Sequence, residues 1–291
     1  MLRLIDTHAH LDELENLSEA LEEARKAGII AVLAVGSNRQ SNIRTLEISG
    51  QYRQFVYPAL GLHPWELGRL GTNGIDDSLR FIEENIASAI AVGEVGLDYD
   101  KRVLRVSSKE LQQQVLRRLL DISKKYRKPV SVHSRYAWKD ALQLVQDAGV
   151  DKAVFHWFTG SSGVLKDMVS GGYFISATPA TEYHEEHRRA IKEAPPERLL
   201  LETDSPVTYG RAVRYKSRPS DVLRSLRAVS QLKGIDETAT AEQTTRNAID
   251  FFSLDDTIWA RLNSTCHLPE NRANICGEID GFREKRWSSR S

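Results

Sequence analysis

The sequence predicts a (β/α)8 barrel, and three observations carry that prediction. Eight short apolar runs alternate with longer helix-like stretches, as parallel strands alternate with crossover helices. The alternation fills residues 1–252, the span expected of a closed barrel, which is about 250 residues. No glycine-rich phosphate loop follows the first run, which removes the commonest signature of the competing fold, an open doubly wound sheet.

In chain order, Leu2, Leu4 and Ile5 begin a first strand that closes on His8 and His10. Ser18 suits an N-cap for a helix carrying Leu21 and Ala24, which Gly28 ends. Residues 29–35 are apolar on both faces, the pattern of a strand covered by helices. A helix over 40–49 precedes a third strand, 55–63, in which Pro58 suggests a bulge. A helix over 76–85 leads to a fourth strand, 87–94. Ser107 and Glu110 form a capping box for a helix with Leu111, Val115, Leu119 and Ile122 on one face. Strands at 129–133, 152–156, 172–176 and 198–204 alternate with helices at 140–148, 163–169 and 185–193. Pro219 opens a helix that Gly234 stops, and 236–252 forms the last one. From Ser253 onward the periodicity breaks down, and residues 253–291 read as a partly ordered tail.

Lys+Arg and Asp+Glu both number 40, so a polyanionic partner would need a local basic patch rather than a basic chain. The basic runs Lys101-Arg102 and 211–218 read as solvated faces, as do His184 and His187 beside Glu185 and Glu186. Cys266 and Cys276 are the only cysteines, which fits a reducing compartment, and with His267 they lack a fourth zinc ligand at a familiar spacing. Arg3 and Asp6 interrupt the first apolar run, so no signal segment is read there, and 29–35 is too short to cross a bilayer. A cytoplasmic protein is expected.

The polar residues at the strand ends are the chemical signal. His8 and His10 close the first predicted strand, His63 the third, Glu94 the fourth, His133 the fifth, His156 the sixth and Asp204 the eighth. Five of eight histidines thus fall at strand ends, which a barrel gathers onto one rim, whereas core histidines have no reason to favour that end. Imidazoles and carboxylates without a thiolate suit Zn²⁺, Mn²⁺, Fe²⁺ or Mg²⁺. The set exceeds the needs of one ion with open positions, and a bridging carboxylate would allow two.

The blocks Asp6-Thr7-His8-Ala9-His10-Leu11-Asp12, Gly61-Leu62-His63-Pro64 and Gly93-Glu94-Val95-Gly96-Leu97-Asp98-Tyr99 recur in a known order with three more. These are His133-Ser134-Arg135, His156-Trp157-Phe158-Thr159-Gly160 and Glu202-Thr203-Asp204-Ser205-Pro206. Together they resemble the TatD family of metal-dependent deoxyribonucleases, within the amidohydrolase superfamily. The resemblance implies a (β/α)8 barrel with two divalent ions, foremost Mg²⁺, with Zn²⁺ or Mn²⁺ as alternatives. It implies that His8, His10 and Asp204 hold one ion, His133 and His156 the other, and that Glu94 bridges them. DNA, single-stranded or at an end, is the implied substrate. Residues 253–291 have no counterpart in the family pattern, and 209–216 is more basic than the motif accounts for.

Phosphodiester hydrolysis is the expected reaction, with Asp204 as ligand and general base and Glu94 as the bridging group. Arg135, whose planar fork suits phosphate, and His63 are expected to bind substrate. For Arg135 a surface ion pair is an equal expectation. The same rim hydrolyses amides and lactones in related barrels, so a deacylase or cyclic amide or lactone hydrolase is the alternative.

Overall fold

A computed structural model describes residues 2–254 together with Ile258. Eight strands form one sheet in sequence order: β1 (Leu4–Ala9), β2 (Ile29–Val35), β3 (Val56–Leu62), β4 (Ala91–Gly96), β5 (Val130–His133), β6 (Ala153–Phe155), β7 (Phe174–Ala177) and β8 (Leu199–Leu201). Every neighbouring pair is parallel. A parallel bridge between Ala9 and Ser205 joins the two ends, with Asp204 N donating to His8 O and His10 N to Ser205 O. Order, direction and closure are those of a (β/α)8 barrel.

Helices clothe the ring: α1 (Leu17–Lys26), α2 (Arg39–Gln51), α3 (Leu67–Asn85), α4 (Lys101–Leu104), α5 (Lys109–Tyr126), α6 (Trp138–Asp147), α7 (Ser162–Ser170) and α8 (Glu185–Glu193). A hairpin, β9 (Thr208–Tyr209) with β10 (Tyr215–Lys216), then precedes α9 (Val222–Lys233) and α10 (Glu237–Phe252). The strands are apolar on both faces because side chains fill the ring on one side and pack under helices on the other; Ala31 to Val35 are all buried.

Several local expectations are corrected by backbone geometry. The first helix is capped at Asn16, ahead of Ser18. The fifth starts one residue later than the capping box implied: Ser108 accepts from Leu111 N, and Ser107 is buried. α3 begins at Leu67 and tolerates a break at Gly71, whose φ of +59° glycine adopts freely. Pro58 sits in register opposite Ala34, and the shift in β3 falls between Leu60 and Leu62. Cys266, Cys276 and His267 lie outside the described residues.

Candidate metal centre

Six strands or the loops that follow them bring seven predicted side chains to one end of the barrel. β1 supplies His8 and, one residue past its end, His10; β3 leads to His63, β4 carries Glu94, β5 ends on His133, and His156 and Asp204 follow β6 and β8. His63 thus sits inside the cluster, its Nδ1 accepting from Trp65 N at 3.2 Å.

Glu94 organises the group. Its Oε2 lies 3.4 Å from His8 Nε2 and 3.2 Å from His10 Nε2, while Asp204 Oδ1 is 3.6 and 3.5 Å from the same two atoms. Its Oε1 lies 2.7 Å from His156 Nε2, 2.8 Å from His133 Nδ1 and 3.3 Å from His63 Nε2. One carboxylate therefore faces two separate sets of imidazoles, one with each oxygen.

His8 Nε2, His10 Nδ1 and His156 Nδ1 are buried without a hydrogen bond. His133 Nδ1 and His156 Nε2 face each other at 3.3 Å. The His8 and His156 rings stack at 4.1 Å, with 9° between their planes. Buried ring nitrogens aimed at one another and at carboxylates fit divalent cations. Among the described residues, three groups have donor atoms close enough to hold an ion: His8, His10 and Asp204; His63, Glu94 and His133; and His8, His156 and Glu202.

Without such ions, the electrostatics pair protons with carboxylates. Burial opposes charge on His10, but Asp204 and Glu94 outweigh it and raise its pKa well above the ordinary value. Burial is likewise outweighed at His156, by Glu94 and Glu202, and at His133, by Asp98 and Glu94; both are raised. His63 differs: burial dominates and lowers it to about 4. Burial would raise Glu94, yet His63, His156 and the other imidazoles hold it well below the carboxylate range. Asp204 is lowered against burial mainly by its hydrogen bond with His10.

The surroundings show what sequence reasoning missed. Asp6, fully buried, accepts from Thr203 N at 2.9 Å and Thr203 Oγ1 at 2.6 Å, tying the Asp204 loop to β1. Asp204 itself has φ +48°, a left-handed conformation a non-glycine residue adopts at some cost. Glu202 accepts from Trp157 N and lies 3.4 Å from His156 Nδ1. The signal for both was present, an acidic residue two places before a ligand candidate. Arg135 is neither free nor on the outer surface: it pairs with buried Asp98 and lines the mouth.

Above the cluster opens a cavity of about 690 Å³, walled by Trp65, Arg135, Tyr136, Trp138 and Trp157, with Glu94, His133, His156 and Asp204 in its floor. His187, expected at the surface, is instead fully buried between Phe158 O and Thr178 N. Phe158 is buried in the core. In the basic runs Arg102 pairs with Asp100, Lys216 with Glu15 and Arg218 with Glu23, three of the six cations there.

A parallel barrel with a histidine–carboxylate cluster at the C-terminal mouth is the frame of a metal-dependent hydrolase. The family described as TatD related DNase matches residues 5–253. The chain belongs to that family and is a TatD family hydrolase. It is 33% identical over 259 residues to human "Deoxyribonuclease TATDN3", covering 86% of this chain and 94% of that protein. It is 30% identical over 264 residues to a Bacillus subtilis (strain 168) protein called "Uncharacterized metal-dependent hydrolase YabD", covering 86% of this chain and all of the relative. The crystal structure of the TatD homologue YJJV from Escherichia coli K12 aligns with a TM-score of 0.78 at 27% identity, over 87% of this chain and 99% of that one. No helix among the described residues is long and apolar enough to cross a membrane.

Proposed function

We propose that this protein hydrolyses phosphodiester bonds of DNA at a centre for two divalent ions. The observation that carries the proposal is the division of Glu94: one oxygen faces His8 and His10, the other His63, His133 and His156. A carboxylate so placed would serve two ions at once. His8, His10 and Asp204 would hold one, and His133 and His156 the other, with His63 beside them. Two bound ions supply Lewis acidity to the phosphate and a water acidic enough to be a nucleophile near neutral pH.

The chain's own groups do the rest. Asp204, in the cavity floor and held ionised by its imidazole neighbours, accepts the nucleophile's proton at its carboxylate. Arg135 keeps part of its guanidinium for a non-bridging phosphate oxygen, and its pairing with Asp98 fixes the direction in which it points. His63, uncharged near neutral pH, accepts from Trp65 N and presents Nε2 to the cluster. The tryptophans of the wall offer faces on which unpaired bases stack, which suits a single strand or a frayed end. The protein acts among soluble components of the cytoplasm, and residues 1–252 form the working domain with 253–291 as an extension.

The names of the relatives support DNA as the substrate, since human TATDN3 is called a deoxyribonuclease. The test is a labelled oligonucleotide offered beside a panel of amides and lactones, with Mg²⁺, Mn²⁺ or Zn²⁺ in turn. Nucleotide release with at least one ion is expected, with none from the amides. Glu94→Gln should lower turnover by about 10³-fold or more, the scale of losing a group central to a metal site, while the chain stays folded. Cleavage of the panel without nucleotide release would reverse the assignment, and native turnover in the variant would remove the bridge.

A further inference from the structure

Asp98 accepts more hydrogen bonds than any ligand candidate, yet it holds no place in the cluster. Its Oδ2 accepts from Trp65 Nε1 at 2.5 Å, Arg135 Nη2 at 2.9 Å and His133 Nε2 at 3.0 Å. Its Oδ1 accepts from Asp100 N at 2.8 Å and Arg135 Nε at 3.1 Å. A carboxylate offers about four lone-pair sites, so five donors leave none for a metal. The side chain is fully buried.

We infer that Asp98 is a positioning residue that welds one half of the metal centre to the substrate wall. The inference rests on the reading of the cluster as a metal centre. The geometry carries it in two ways. By taking the proton on His133 Nε2, Asp98 fixes the tautomer that leaves a lone pair on Nδ1, the atom 2.8 Å from Glu94 Oε1. By holding Arg135 through two nitrogens and Trp65 through its indole N–H, it sets both groups at the cavity mouth, with the guanidinium carbon 5.3 Å from the Trp65 ring. The ligand and the two wall residues then move as one piece.

Asp98 is itself clamped from outside the barrel. Gln112, fully buried on α5, accepts from Asp98 N at 2.7 Å and donates to Asp98 O at 3.0 Å. The strand end after β4 is thereby locked to a helix that touches neither the cluster nor the cavity. His8, His10 and Asp204 make no contact with this network, so its loss should be felt by one ion and not the other.

The test titrates the ion-stripped full-length chain with Mn²⁺ by calorimetry and measures KM for a short oligonucleotide with saturating Mn²⁺. Asp98→Asn should weaken one Mn²⁺ at least tenfold, leave the other within twofold of wild type, and raise KM several-fold. If circular dichroism shows that this variant does not fold, Gln112→Met, which removes both backbone clamps, should shift the same ion and KM in the same direction. Native affinity at both sites overturns the inference, and so does equal weakening of both, which is what general structural damage produces. A wild-type chain that binds no Mn²⁺ overturns instead the metal-centre reading beneath it.

Discussion

His187 shows how one residue's surroundings override its sequence neighbours. Between Glu186 and Arg188 it reads as one more polar position on a solvated helix. In the fold it faces inward from α8, with Nδ1 at 2.9 Å from Phe158 O and Nε2 accepting from Thr178 N at 3.2 Å. That pairing requires the neutral ring, and burial lowers its pKa to about 4. The folded-state value lies below the unfolded one, so the stability is present above about pH 6.5 and is lost as pH falls towards about 4. The loss amounts to roughly 3 kcal/mol. Urea midpoints between pH 7 and pH 4.5 should fall more steeply for wild type than for His187→Gln, whose amide can serve both partners without a proton. Parallel slopes would count against a buried neutral imidazole.

At the scale of elements, the approach of β3 to β4 is what seats Glu94. A Cβ at Gly61 would lie 2.2 Å from Glu94 O and 2.5 Å from Glu94 N, so the strands meet there only because residue 61 has no side chain. The register shift of this pair falls at the same place, between Leu60 and Leu62. Such irregularities aim side chains at sites. Gly61→Ala must push β4 away, at a cost of about 1–3 kcal/mol for overpacking. Because the displaced backbone is that of Glu94, Mn²⁺ affinity should fall by more than the urea midpoint alone would suggest. Unchanged ion binding in a destabilised variant would separate the strand contact from the site.

For the whole molecule, the cluster is a cross-link among β1, β4, β5 and the loops after β3, β6 and β8, which span the length of the described chain. Ions that bind the native chain alone stabilise it by about 2.7 kcal/mol at a hundredfold excess over Kd. For a domain of this size that corresponds to roughly 5–10 °C in Tm. Chelator treatment should lower Tm by that order, and Mg²⁺ or Mn²⁺ should restore it in wild type but not in Glu94→Gln. An identical Tm with and without chelator would mean that no ion ties these strands together.

Strand positions were legible in the sequence because a parallel strand buried on both faces must be apolar throughout, and the run 29–35 is apolar throughout and too short for a typical helix. Helix starts were less so, since Ser107 and Ser108 offer the same chemistry and only backbone geometry chooses between them. The sequence by itself determined the barrel, the rim and the identity of the polar residues on it, because strand ends and chemistry-bearing side chains are local features. Only the tertiary structure decided that Asp6 anchors a loop 197 residues away, that Asp98 holds Arg135 and His133 together, and that His63 stands inside the cluster. Burial, partner and pKa are properties of a place in space, and ring closure makes neighbours of residues that the chain keeps far apart.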